Sequence, residues 1–203
     1  MSTQHHKRTY SNFSLDAVRK QFSVAIAVQP IWTEPIPDAP PPELLTEILE
    51  RAMQLALVSE KARSEFIVAP VLLAARDLLR QQINIYSGIR LDVSPEEGLQ
   101  GICDFIISRT PPLPTLQAPL LIVLEAKKND IEVGLGQCAS EMIAAQRFNQ
   151  AEGVPDRPMY GCVTTGELWQ FLRLHENVLD IDPQRVYINE LGKLLGIFVH
   201  IAL

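Results

Sequence analysis

The chain has 203 residues, 47% of them hydrophobic and 21% charged, with a formal net charge of −6. This length fits one domain of ordinary size plus a short extension, and the composition supports a buried core and excludes global disorder. The longest apolar runs are far shorter than the roughly 20 residues that a membrane span requires. The N-terminal residues contain no apolar segment typical of a secretory signal, so we expect a soluble cytoplasmic protein.

Cysteine and histidine are too scattered for a disulfide framework or a structural zinc site. The three cysteines form no CxxC pair, and the four histidines, His5 and His6 among them, show no ligand spacing such as HExxH. The negative net charge is unfavourable for a protein that neutralises many phosphates. A locally basic groove, or a partner protein that supplies the affinity, would still allow an acidic chain to act on a phosphate-rich molecule.

Residues 1–42 are predicted to be an N-terminal extension with a proline-rich linker. Within them, residues 15–22 have the spacing of a short amphipathic helix. Six prolines between Pro30 and Pro42 favour an extended, semi-rigid path. We therefore place the compact α/β domain at residues 43–203.

The domain is predicted to alternate between helical and strand patterns. Apolar spacing predicts helices over 43–58 and from residue 59 or 60 to about 81, the second kinked or divided at Pro70. Short strands are predicted over 83–87, 89–93 and 102–107, with a turn at 95–98, and a central strand over 120–126. After it come a loop or helix entry over 131–136 and a helix over 137–149. Two further strands over 158–164 and 168–174 and a closing helix over 183–203 complete the domain. This order predicts a mixed central β-sheet flanked by helices.

Charged residues end the otherwise apolar run LLIVLEA at residues 120–126, which reads as the buried centre of a sheet. Because strand side chains alternate, Glu125 and Lys127 emerge on one face. Asp104 lies in the preceding strand, so pairing of the two strands would bring its carboxylate close to that of Glu125. Converging carboxylates suit Mg²⁺ or Mn²⁺. A lysine beside them can orient a nucleophile or neutralise developing charge.

Four segments, GICDFIIS, LLIVLEAKK, GLGQCASEMIAAQRFN and YGCVTTGELWQFLRL, resemble the PD-(D/E)XK nuclease superfamily over roughly residues 60–175. Asp104 matches the aspartate of that pattern, and Glu125 and Lys127 match its E-x-K. Cys103 replaces the proline of the motif's name. The chain also resembles a narrower family of uncharacterised bacterial proteins that share the strings SEK-x-RSE, CDFII, EAKK, GQC-x-x-EM-x-AA and VTTG-x-x-W. The fold implied by the resemblance is a restriction-endonuclease-like core.

The resemblance also assigns roles around these three residues. It implies that Asp104, Glu125, the Ala126 carbonyl and Glu65 bind the metal, and that Gln137 joins Asp104, Glu125 and Lys127 as a catalytic residue. Other interpretations of these residues stay open. Glu65 could be a surface residue paired with Lys61, and Gln137 could simply begin its helix. Glu141 shares the helix face of Gln137 and would join the site if that face looks into it.

The function implied by the resemblance is that of a Mg²⁺-dependent nuclease, with Mn²⁺ as a possible substitute, hydrolysing DNA phosphodiester bonds. RNA stays open as a substrate, and a homodimer or a separate targeting partner is expected rather than a membrane. One alternative is a non-catalytic module that keeps the fold and binds nucleic acid or protein. Another is an unrelated α/β enzyme that acts on small phosphoesters.

Overall fold

The protein is an α/β structure built on one seven-stranded mixed sheet with helices on both faces, in a computed structural model that describes residues 8–203. The strands are β1 (Ala25–Val28), β2 (Asn84–Ser94), β3 (Leu99–Ser108), β4 (Leu120–Ala126), β5 (Met159–Thr164), β6 (Leu168–His175) and β7 (Val178–Tyr187). The helices are α1 (Leu15–Phe22), α2 (Glu43–Ala52), α3 (Glu60–Arg63), α4 (Ala69–Leu78), α5 (Ile131–Ala151) and α6 (Leu191–Ala202). The first seven residues of the predicted extension, with His5 and His6, lie outside the described residues.

The sheet has the strand order β1-β7-β6-β5-β4-β3-β2. Strand β4 pairs antiparallel with β3 and parallel with β5, and each of its residues is buried. A strand that is apolar on both faces is stable only between two covering layers, which confirms the prediction for residues 120–126. No helix within residues 8–203 is long and apolar enough to cross a membrane.

Two separate apolar cores cover the two faces of the sheet. One lies under α2, α4 and α6 and includes Leu72, Phe105, Leu124, Phe171 and Phe198. The other lies under α1 and α5 and includes Val18, Ile106, Val123, Met142 and Leu172. Ile122, Val123 and Leu124 alternate between these cores, as the two-residue repeat of a strand requires, whereas Leu121 and Ile122 lie in the same core where the register with β3 shifts.

The helical segment before the sheet is divided, as predicted. A π-helical turn, Ser64–Val68, separates α3 from α4, and Pro70 occupies the first turn of α4. Proline cannot donate the backbone hydrogen bond of a continuous α-helix, and a wider turn before it accommodates that loss. The helix predicted over 43–58 ends earlier, at Ala52.

The N-terminal part of the chain differs from its description as an extension. Tyr10 and Phe13 are buried in the core under α5, and helix α1 follows at the predicted residues. Strand β1 was not predicted, and it pairs in parallel with β7. The packed part of the chain therefore begins well before the predicted boundary at residue 43.

Other differences lie in the strands and at the start of α5. Strand β7 occupies residues assigned in part to the closing helix, and its register with β6 shifts around Pro183, a position where a bulge tolerates proline. Strand β2 is continuous through Gly88, whose φ of +61° requires glycine-like freedom. Helix α5 begins at Ile131, so residues 131–136 are helical.

Candidate active site

Pairing of β3 with β4 brings the two predicted carboxylates together. The register pairs Phe105 with Leu124, and Asp104 and Glu125 are the next residues of the two strands. The charge of Asp104 raises the pKa of Glu125, so the two carboxylates lie near each other. The backbone N–H of Ala126 donates a hydrogen bond to Asp104 Oδ2 at 2.8 Å, which fixes the aspartate at the C-terminal end of β4.

Lys127 connects these strands to helix α5. Its Nζ donates to Glu125 Oε1 at 2.5 Å and to Gln137 Oε1 at 3.2 Å. The amide nitrogen of Gln137 donates in turn to Glu141 Oε1 at 3.1 Å. The structure therefore joins three of the predicted catalytic residues in one network, and it extends that network to Glu141, which the sequence left open.

A glycine allows α5 to approach the strand end closely. A Cβ at Gly134 would lie 2.6 Å from Val163 Cγ1 and 3.1 Å from Lys127 Cγ, closer than carbon atoms normally pack. A side chain here would force the helix away from the sheet. Gly134 thus permits the helix position from which Gln137 reaches Lys127.

Burial and mutual repulsion oppose ionisation of the carboxyl groups. Glu125 is 2% exposed, and burial together with the repulsion of Asp104 raises its pKa to about 7, against the attraction of Lys127. Burial also raises the pKa of Asp104, opposed by the Ala126 N–H and Lys127. Burial, reinforced by Glu125, raises the pKa of the fully buried Glu141 well above its usual range. These carboxyl groups are therefore harder to ionise than free ones, and a bound cation would favour their charged form.

Lys127 keeps its charge in this setting. Burial by itself lowers the pKa of Lys127, but the attraction and hydrogen bond of Glu125, together with Glu60 and Asp104, outweigh burial and raise that pKa. An ammonium group with a raised pKa is protonated at neutral pH. Lys127 is consequently suited to stabilise negative charge rather than to accept a proton.

Two buried carboxylate oxygens lack a hydrogen-bond partner among residues 8–203, namely Glu125 Oε2 and Glu141 Oε2. An unpaired buried oxygen is costly, and a bound cation would remove part of that cost. The oxygen donors of Asp104, Glu125 and the Ala126 carbonyl fit Mg²⁺, which commonly takes one or two carboxylates and completes its shell with water and phosphate oxygens. Within the described residues, no group of three or more His, Cys, Asp or Glu side chains has a metal-binding arrangement. The donors present thus suit an open Mg²⁺ site and not a closed protein cage.

Glu65 stands apart from this network. It lines a cleft of about 280 Å³ together with Asp104, Glu60 and Gly88. Its carboxylate is largely exposed and lies 3.7 Å from Lys61 Nζ, as the surface interpretation expects. The structure does not bring Glu65 into the hydrogen-bonded network, and its role as a metal ligand stays a prediction.

Glu60 is the acidic residue of this helix that the sequence reasoning missed. Its charge contributes to the raised pKa values of both Glu125 and Lys127. It also lines the same cleft as Asp104. The sequence places Glu60 in the first helical turn after the Ser59 N-cap. That position does not mark a functional residue, because many exposed glutamates occupy it only to interact favourably with the helix dipole.

No protein-family model matches the chain, and no curated protein matches it significantly. The resemblance to the PD-(D/E)XK superfamily therefore depends on the motif residues described above and stays a prediction.

Proposed function

We propose that this protein is a metal-dependent nuclease that hydrolyses DNA phosphodiester bonds on a restriction-endonuclease-like core. The observation that carries the proposal is the convergence of Asp104, Glu125 and Lys127 at the end of a buried strand, beside a buried Glu125 oxygen that has no hydrogen-bond partner within residues 8–203. Burying carboxylates costs stability. A catalytic role would explain why these carboxylates are buried despite that cost.

The architecture around the site supports the choice of core. The strand with Asp104 pairs antiparallel with the strand that ends in Glu125 and Ala126, and helix α5 follows directly. Strands β5 and β6 then form an antiparallel pair beside β4. This order of elements agrees with the pattern that the four resembling segments imply, in which a helix and a strand pair follow the E-x-K.

Asp104, Glu125 and the Ala126 carbonyl would hold Mg²⁺ or Mn²⁺. Such an ion supplies Lewis acidity at a phosphoryl oxygen and lowers the pKa of a bound water. Lys127 remains protonated, so its ammonium group stabilises charge that develops on the phosphate and helps to orient the attacking water. Gln137 holds Lys127 through its amide oxygen at 3.2 Å.

Glu141 acts through Gln137 in this proposal. The Gln137 amide nitrogen donates to Glu141, which fixes the amide with its oxygen towards Lys127. An amide flipped by 180° would present a donor to an ammonium group and lose that hydrogen bond. Glu141 is thus a positioning residue for Gln137 and Lys127.

The alternative is a module with this fold that binds nucleic acid or protein without cleaving it. The net charge of −6 favours this alternative, because a strong binder of phosphates is normally basic. A homodimer or a separate targeting partner would compensate for weak intrinsic DNA affinity, and both stay predictions.

Cleavage of supercoiled, linear and single-stranded DNA with Mg²⁺ or Mn²⁺ distinguishes the two functions. We expect the wild-type protein to cut at least one form, and Asp104→Asn and Lys127→Ala to abolish cutting while unfolding as cooperatively as the wild type. Glu47→Gln, on the exposed surface of α2, is the matched carboxylate control and should cut normally. A folded wild-type protein that cuts no form with either ion would favour the binding module.

A further inference from the structure

Two arginines lie at the same end of the sheet as the candidate active site. Arg63 ends helix α3, and its Nη1 donates to the Thr165 carbonyl at 3.0 Å. The preceding carbonyl, that of Thr164, accepts the backbone N–H of Lys127 at 2.7 Å. Arg63 is therefore anchored to Thr165, the residue that follows the Thr164 carbonyl bonded to the backbone of Lys127.

Arg185 lies in the same row of the sheet as Glu125. The register pairs Glu125 with Val163, Val163 with Gln170, and Gln170 with Arg185. Three strand spacings of ~4.8 Å place Arg185 about 14 Å from Glu125 along this row. A polymer lying along this row, across the strands, would reach both Glu125 and Arg185, whereas a single phosphate group would not.

Each guanidinium group is held by the protein on one side. Arg185 Nε donates to Gln170 Oε1 at 2.9 Å, and the Gln170 side chain is buried and also donates to the Asp182 carbonyl. The Arg63 side chain is only 17% exposed, and its Nε is buried without a hydrogen-bond partner in residues 8–203. Anchored guanidinium groups lose little conformational freedom when they bind an anion.

An exposed glutamate also accepts a hydrogen bond from each guanidinium group. Glu167 Oε1 lies 2.8 Å from Arg63 Nη1, and Glu132 Oε1 lies 2.8 Å from Arg185 Nη2. The two glutamate side chains are 50% and 69% exposed. Ion pairs with such exposed partners contribute little free energy, so a phosphate that offers two charge-assisted hydrogen bonds can replace the carboxylate.

We propose that Arg63 and Arg185 bind backbone phosphates of the DNA substrate, and that Glu167 and Glu132 are internal competitors that these phosphates displace. This inference rests on the proposed function. It explains how an acidic chain binds a polyanion, because the positive charge is local and becomes available as each glutamate is displaced. Phosphate contacts carry no base information, so these two arginines set affinity and orientation but not sequence preference.

The test is binding of a fluorescein-labelled DNA duplex at several salt concentrations, with Ca²⁺ replacing Mg²⁺ to prevent cleavage. Arg185→Gln should weaken binding about tenfold or more, since it removes charge-assisted hydrogen bonds. It should also reduce the slope of log affinity against log salt by about 0.9. Glu132→Gln and Glu167→Gln should each strengthen binding by roughly two- to fivefold, the range of an exposed ion pair.

Double variants and matched controls make the mechanism specific. In an Arg185→Gln background, Glu132→Gln should no longer strengthen binding, because the arginine it releases is absent. Arg51→Gln and Glu47→Gln alter a comparable exposed ion pair on α2, and both should bind like the wild type. Arg63 also anchors the turn at Thr165, so removing its side chain could disturb the fold. Its contribution to DNA binding is therefore measured with Glu167→Gln and Arg63→Lys, and thermal unfolding verifies that both variants are folded.

Each outcome separates this inference from the proposed function. Unchanged affinity and salt slope in Arg185→Gln and Glu167→Gln, or a wild-type protein that binds no DNA, would overturn the inference. If the wild type cleaves DNA with Mg²⁺ but these variants bind normally, the nuclease proposal survives and the inference fails. If binding depends on the arginines and glutamates but no cleavage occurs, the inference stands and the nuclease proposal fails.

Discussion

Two neighbouring residues of β4 show how differently the faces of the sheet are built. Leu124 points into the core under α4 and α6, where its neighbours are apolar side chains such as Phe105 and Phe171. Glu125 points to the α5 side, where it contacts Lys127 and lies near Asp104 and Glu141. Both residues are almost completely buried.

Equal burial has opposite energetic consequences at these two positions. Burying a leucine stabilises the fold, whereas burying a carboxylate costs free energy unless a cation and hydrogen bonds compensate for the lost water. The single hydrogen bond of Glu125 from Lys127 leaves its second oxygen without a partner in the described chain. The comparison teaches that two equally buried neighbours differ in what they contribute, Leu124 to stability and Glu125 to the proposed chemistry, and that substitutions should separate the two contributions.

The largest expected effect is loss of activity at the candidate site. Asp104→Asn and Lys127→Ala should each reduce metal-dependent DNA cleavage by on the order of 10³-fold, since each removes preorganised charge at the reacting phosphate. Their urea unfolding midpoints should stay close to that of the wild type. Initial cleavage rates at saturating Mg²⁺ measure the effect, and a change of less than tenfold in both variants would contradict the assignment.

A large effect on stability is expected on the opposite side. Leu124→Ala should lower the free energy of unfolding by about 2–5 kcal/mol, because it leaves a cavity among close-packed side chains. The specific activity of the fraction that remains folded should be little changed. Urea unfolding followed by circular dichroism measures the loss. A cost below about 1 kcal/mol would mean that Leu124 does not stabilise the fold as a close-packed core residue.

A smaller effect is the pH dependence of stability. Glu125 has a pKa raised to about 7 in the folded protein and about 4.3 in an unfolded chain. Between these values the folded protein holds a proton that the unfolded chain has released. The contribution of Glu125 to the free energy of unfolding is therefore fully present below pH 4.3 and decreases as the pH rises to 7.

Glu125→Gln tests this dependence directly. Without the titrating group, the fall in stability of the metal-free protein between pH 5 and pH 8 should be shallower than in the wild type. Unfolding in EDTA at several pH values measures the difference between the two proteins. Parallel pH profiles would show that Glu125 is not held protonated by its surroundings.

The smallest expected effect distinguishes two glutamates of one helical segment. Glu60→Gln should change Mn²⁺ affinity several-fold, because the Glu60 charge acts on Glu125 and Lys127. Glu65→Gln should have a weaker effect, since Glu65 is exposed and paired with Lys61. Isothermal titration calorimetry with both variants provides the comparison. The reverse order would favour the role for Glu65 that the sequence resemblance implies.

Local patterns predicted much of this fold. The ends of α1 and β4 were predicted to the residue, because each is bounded by clear polar or proline-containing segments. The two strands after α5 and the division of the helix near Pro70 were predicted for similar reasons. These features depend on the properties of short stretches of chain.

Features that depend on distant contacts were missed. The four residues of β1 become a strand only by pairing with β7, more than a hundred residues away. Strand β7 contains Pro183 and several charged residues, which are unfavourable for a strand outside a bulge. The glycines at the start of α5 disfavour a helix locally, yet Gly136 is required there because a Cβ would lie 2.3 Å from the Phe13 carbonyl oxygen.

The candidate site divides in the same way. The approach of Asp104 to the end of β4 followed from strand alternation and pairing, and the structure shows it in the hydrogen bond to Ala126. The network from Lys127 through Gln137 to Glu141 depends on how closely α5 packs on the sheet, which no spacing in the sequence fixes. The influence of Glu60 likewise depends on where the π-helical turn places its helix.

A crystal structure of the protein soaked in Mn²⁺, with anomalous diffraction data, tests the central claim most directly. The account predicts one anomalous peak between the carboxylates of Asp104 and Glu125, within reach of the Ala126 carbonyl and beside Lys127, and no such peak in Asp104→Asn. A fully soaked crystal with no peak at this position, or with Mn²⁺ bound only elsewhere, would contradict it.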